Sequence, residues 1–169
     1  MKNIAILVYG SLINKDELIG EGVDISFCTP VVLEGYKREF SQKSQRPIYL
    51  GSNKAVLTVI EDKNSFCNAI LVPNIKEKDL EVLDHREAGY NRVKVSLDSL
   101  NFKYQELNEK IDEVYIYLGK DEFYDTSLVP IPKYLDICLK GASSWGEQFY
   151  NDFIETTFSQ EKSLKESIK

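Results

Sequence analysis

The chain has 169 residues, which suits one domain, and its 43% hydrophobic and 11% aromatic content is enough for a packed core. A formal net charge of −6 and a pI near 5 argue against nucleic acid as the main partner, because phosphate binding needs clustered Lys and Arg. No apolar run is long enough to span a membrane. The three cysteines, Cys28, Cys67 and Cys138, are widely spaced and form no CxxC or CxxH pattern. They are expected to be reduced core thiols of a cytoplasmic protein, with no zinc site and no disulfide framework.

Lys2 followed by IAILV imitates a signal peptide, but Tyr9, Gly10 and Ser11 interrupt the run, and no secretory leader is expected. Persistence of apolar residues from Ile4 to Val8 predicts a strand buried on both faces. Asn14 with Glu17 three residues on predicts a capped short helix ending near Gly20 or Gly22. ISFCTPVVLEGY reads as a strand at an edge or bend, because Pro30 lies inside it. KAVLTVIE and CNAILV read as two strands joined by DKNSF, a hairpin. The stretch NIKEKDLEVLDHREAGY changes to helical period and should stop near Gly89.

YNRVKVSL and EVYIYLG are strand-like, the second with Val114, Ile116 and Leu118 opposite Tyr115 and Tyr117. In WGEQFYNDFIETTF, Trp145, Phe149 and Phe153 fall at i, i+4 and i+8 of a helix. The polar residues from about 159 onward are expected to fray. The pattern predicts an α+β domain, a small mixed β-barrel or strongly curved sheet flanked by a few helices. It would cover residues 1–155, with 156–169 as a polar helical tail.

Glu87 is the most informative single residue. With Leu80 and Leu83 it falls at i, i+3 and i+7, so a continuous helix would turn its carboxylate toward the core. A buried carboxylate either pairs with a base or takes up a proton more readily, and in the second case it can act as base and acid near neutral pH. The other reading is a last helical turn that reaches water. His85 is the single histidine and invites a dyad with Cys67 as nucleophile, but its helical angle differs from that of Glu87 and it is expected to pack or face solvent. GYKREF at 35–40 carries too few cations for a basic patch and reads as a turn into a strand.

Four segments in order resemble the γ-glutamylcyclotransferase-like superfamily, which includes the AIG2-like proteins. VYGSL at 8–12 is similar to the YGSL loop of that family, and LEGYKREF at 33–40 to its GYxxxF segment. VLDHREAGYNRVKV at 82–95 resembles the segment with the catalytic glutamate, which falls on Glu87. PKYLDICLKGA at 132–142 resembles a late tyrosine segment and puts a substrate contact at Tyr134. The resemblance implies a substrate loop at Tyr9, Gly10, Ser11 and Leu12, a small-molecule γ-glutamyl substrate, and no metal, nucleotide or other cofactor. The implied reaction is intramolecular aminolysis that yields 5-oxoproline and a free amine. The alternative is a non-catalytic γ-glutamyl-binding or interaction protein of the same fold.

Overall fold

A computed structural model describes residues 2–167. Strand β1 (Ile4–Val8) is buried at all five positions, as its unbroken apolar run requires. A 3-10 turn, Ser11–Ile13, follows it directly. Helix α1 (Lys15–Gly20) starts where Asn14 accepts from the Asp16 and Glu17 amides, as expected from the sequence. The next strands are unusually long, β2 (Thr29–Lys43) and β3 (Lys54–Ile75). Helix α2 (Leu80–Arg86) leads into β4 (Tyr90–Val95), the short β5 (Leu100–Asn101) and β6 (Glu113–Gly119). A short β7 (Val129–Pro130), helices α3 (Pro132–Ser144) and α4 (Glu147–Glu155), strands β8 (Thr157–Ser159) and β9 (Lys162–Ser163), and α5 (Leu164–Ser167) complete the described chain.

The described strands form one mixed sheet of nine in the order β4-β6-β1-β3-β2-β8-β9, with β5 on β2 and β7 on β3. Strand β1 runs parallel to β6 and antiparallel to β3. The sheet does not close, so of the two expected forms the barrel gives way to the open sheet. No helix among the described residues is long and apolar enough to cross a membrane.

Three local expectations are corrected. DKNSF does not reverse the chain, because Leu57–Glu61 and Phe66–Leu71 both pair with β2 and belong to one strand. Glu34 faces Phe66 and Tyr36 faces Glu61, so Gly35, at φ 89°, stands opposite residues 62–65. The polar residues make a bulge that bends two strands together. Trp145 lies outside α4, since the chain breaks at Gly146 (φ 111°) between α3 and α4, while Phe149 and Phe153 keep the inward stripe. The C-terminal segment is not a frayed helical tail. Strand β8 pairs with β2 in parallel, and Thr157 and Leu164 are buried.

The reason β8 docks is Arg38. Its side chain is fully buried on β2, and its partners are all neutral. Nε donates to Thr157 Oγ1 (2.7 Å), and the terminal nitrogens donate to Asn68 Oδ1 (2.7 Å), Thr156 Oγ1 (3.1 Å) and the carbonyls of Tyr9 (3.3 Å) and Asn68. The guanidinium also sits 4.1 Å from the Phe153 ring centroid. Burial lowers its pKa, yet a guanidinium stays protonated in a protein. Arg38→Met should therefore reduce unfolding free energy by about 3–5 kcal/mol, several buried acceptors each losing roughly 1–3. Arg38→Lys should recover only part of it, because one ammonium cannot reach the same set of acceptors. Urea unfolding midpoints at constant slope check both.

Candidate active site

The site grows out of the place where β1 stops. Beyond Val8 the sheet no longer dictates the backbone, and Tyr9 to Leu12 turn across the top of the strand. Tyr9 is buried, its hydroxyl donating to the Tyr117 carbonyl at 2.5 Å and its own carbonyl held by Arg38. Gly10 has a negative φ, so no left-handed backbone demands glycine there. Space does, because a Cβ would collide with the Tyr134 hydroxyl. That hydroxyl accepts from the Ser11 amide at 3.4 Å. The carbonyls of Gly10 and Ser11 are taken by the Ile13 and Asn14 amides (both 3.0 Å), while the Gly10 and Leu12 amides have no backbone partner among the described residues.

Facing this loop is the end of α2. Leu80 is buried and Leu83 partly so, as the stripe predicts, but the helix ends at Arg86 and Glu87 is the residue that caps it. Glu87 is half-buried and lines a small cleft, open to solvent, that also takes in Tyr9, Gly10, Ser11 and Leu12. Helical position thus aims it inward while the helix end lets it reach the cleft, so both expectations hold in part. Burial raises its pKa, the Arg46 guanidinium opposes that rise, and Glu21 adds to it. Arg86, next in sequence, is exposed and pairs with Glu21 instead.

The remaining walls are tyrosines whose hydroxyls are already committed. Tyr90 donates to the Leu57 carbonyl (2.8 Å) and Tyr117 to Asp84 Oδ1 (2.7 Å). Tyr134, near the start of α3, is buried and packs edge-on against Phe40 and Tyr49 at 6.1 Å. Burial raises the pKa of Tyr9, Tyr90, Tyr117 and Tyr134. All four are therefore neutral near pH 7, and Glu87 is the single carboxyl among the residues lining the cleft.

All six residues singled out from the sequence, Glu87, Tyr9, Gly10, Ser11, Leu12 and Tyr134, border this one cleft. Tyr90 and Tyr117 were not singled out, although Tyr90 lies in the quoted Glu-Ala-Gly-Tyr segment. The thiol alternative has no geometry. Cys67 is fully buried in β3 with its pKa raised by burial, and His85 is exposed on α2. The three cysteines are free and buried, as expected.

The sequence pattern of the family described as ChaC-like protein matches residues 4–130. The chain belongs to the ChaC-like family. No curated protein sequence matches this ChaC-like chain. Among solved structures it is similar to one titled gamma-glutamyl cyclotransferase, at 15% identity and a TM-score of 0.65, covering 90% of this chain and 86% of the other. It is also similar to an uncharacterized protein from Homo sapiens, at 14% identity, TM-score 0.64, covering 96% and 92%. A third is a yeast cyclotransferase whose title calls it specific to glutathione, at 15% identity, TM-score 0.50, covering 99% and 94%. These likenesses establish the γ-glutamylcyclotransferase-like fold.

Glu87 carries a stability signature of its own. A carboxyl with a raised folded-state pKa contributes its full stability below the unfolded carboxylate value and loses it as pH rises through the folded one. Glu87→Gln should raise Tm at pH 7 by about 1–4 °C. The gain should vanish below about pH 4. Thermal melts of both proteins across pH check this. Gly10→Ala should lower Tm, and adding Tyr134→Phe should restore most of the loss by removing the colliding oxygen.

Proposed function

We propose that this ChaC-like protein is a γ-glutamyl cyclotransferase. It would convert an L-γ-glutamyl peptide or amine to 5-oxoproline and the free amine. The observation that carries the proposal is a lone, half-buried carboxyl, Glu87, that lines one cleft with Gly10, Ser11, Leu12 and four neutral tyrosines. Family membership and structural neighbours titled gamma-glutamyl cyclotransferase support it. The neighbour titled as specific to glutathione makes glutathione the first substrate to try.

In this reaction the substrate supplies both nucleophile and electrophile. The α-amino nitrogen bonds to the γ-carbonyl carbon, and the bond from that carbon to the leaving nitrogen breaks. Glu87 takes a proton from the attacking amine and returns it to the leaving amine, so atoms and charge balance with no water, oxidant or covalent enzyme intermediate. Because both reacting groups belong to one molecule, the protein's task is to fold the glutamyl chain into a reactive pose. The unpartnered Gly10 and Leu12 amides supply donors for an anionic oxygen, either the α-carboxylate or the oxyanion that develops on the γ-carbonyl. The tyrosine walls are neutral, and with the Tyr9, Tyr90 and Tyr117 hydroxyls donating to protein acceptors they do not compete for the proton.

The purified protein incubated with glutathione, γ-glutamyl dipeptides and γ-glutamyl amines should release 5-oxoproline from at least one of them. Glu87→Gln should bind that substrate and turn it over about 10²–10⁴-fold more slowly. Full activity in Glu87→Gln would overturn the proposal, and so would saturable binding across the panel with no product from the wild type.

A further inference from the structure

Gln42 is fully buried on β2, and the catalytic reading above does not use it. Its Nε2 donates to the Gly89 carbonyl at 3.1 Å. Its Oε1 is buried with no hydrogen-bond partner. A buried polar atom left unpaired costs roughly 1–3 kcal/mol, so an apolar side chain of the same shape would be the cheaper occupant unless the one bond it makes matters. The opposite orientation of the amide would set Oε1 against the Gly89 carbonyl, so the donor end is fixed. The carboxamide rests on Gly119 of β6, where any Cβ would collide with it. Two strands are thus shaped around this single side chain.

What Gln42 grips is the turn that carries Glu87. The Glu87 amide donates to the Leu83 carbonyl (2.9 Å), and the Tyr90 amide donates back to the Glu87 carbonyl (3.0 Å). Gly89, at φ 93°, is the pivot of that turn, and its carbonyl receives the Lys120 amide (2.8 Å) as well as Gln42. The Glu87 carboxyl itself has no hydrogen-bond partner among the described residues. No hydrogen bond holds the side chain, so its direction is set by the backbone of residues 87–90, with the Arg46 guanidinium as the attracting charge.

We propose that Gln42, seated on Gly119, is the positioning residue for Glu87: it fixes the 87–90 turn through the Gly89 carbonyl and so directs the Glu87 carboxyl into the cleft. The inference rests on the proposed role of Glu87, and its test separates the two. Gln42→Met keeps the length of the side chain and removes the donor. In that variant, carbon-detected NMR of glutamate-labelled protein should show Glu87 titrating closer to the ordinary carboxylate range than in the wild type. Turnover should fall about 10- to 100-fold. KM should move by less than about threefold, since the substrate loop is untouched. A folded Gln42→Met with wild-type Glu87 titration and wild-type turnover overturns the inference.

Gln42→Glu covers the case in which the methionine variant does not fold. A protonated carboxyl can donate to the Gly89 carbonyl and a carboxylate cannot. Its turnover relative to wild type should rise toward one as pH falls, and a ratio that stays well below one at every pH contradicts the proposal. If the wild type releases no 5-oxoproline from any substrate, the functional reading fails on that result alone. The NMR titration still decides whether Gln42 positions Glu87.

Discussion

The structure depends on one buried charge. Arg38 brings a guanidinium into the core and satisfies it with neutral oxygens drawn from β3, the end of α4, β8 and Tyr9, the first residue after β1. Without a nearby carboxylate, its positive charge is stabilised only if these acceptors converge from separate parts of the chain. That requirement joins the N-terminal strand to a C-terminal segment more than a hundred residues away. It also fixes the Tyr9 carbonyl, and with it the peptide whose N–H belongs to Gly10.

From this anchor the cleft follows as a set of constraints. The Tyr9 carbonyl is held from below, and the Tyr134 hydroxyl presses on Gly10 from the side, so the loop has one course across the end of β1. The opposite wall is a helix end whose cap is a glutamate. Two donors hold the Gly89 carbonyl just beyond it. Neutral tyrosines, with the Tyr9, Tyr90 and Tyr117 hydroxyls donating to protein acceptors, surround a carboxyl made easier to protonate by burial. A pocket lined by a single carboxyl, its proton affinity raised by burial, suits a reaction in which the substrate brings both reacting partners.

Much of this could be read from the sequence where one residue broke a pattern. Tyr9-Gly10-Ser11 interrupts an apolar strand, and Glu87 falls on a leucine stripe. Both border the same cleft. The family resemblance was legible because four segments appear in order, and three of them, at 8–12, 33–40 and 82–95, lie inside the family match at residues 4–130. Features that depend on long-range partners were not legible. Tyr117 alternates away from Val114 and Ile116, which suggests a solvent face, but α2 covers that face and Asp84 takes its hydroxyl. Arg38 looked like part of a patch too weak to bind anything. No local alternation marks it, since all of residues 38–42 are buried and its partners lie far along the chain. The supposed hairpin and the supposed tail failed for a related reason. Polar residues at 62–65 and after 157 suit a turn or a frayed end locally, and only the length of β2 makes them a bulge and an added strand.

Glu87 is proposed as the group that moves the proton. The most direct measurement compares the acid limb of the pH profile of kcat/KM with the titration of the Glu87 carboxyl observed by NMR in the free protein. The two midpoints should coincide, both above the ordinary carboxylate range, with activity falling as pH drops below them. A limb at a different pH, or one that persists unchanged in Glu87→Gln, would contradict the account.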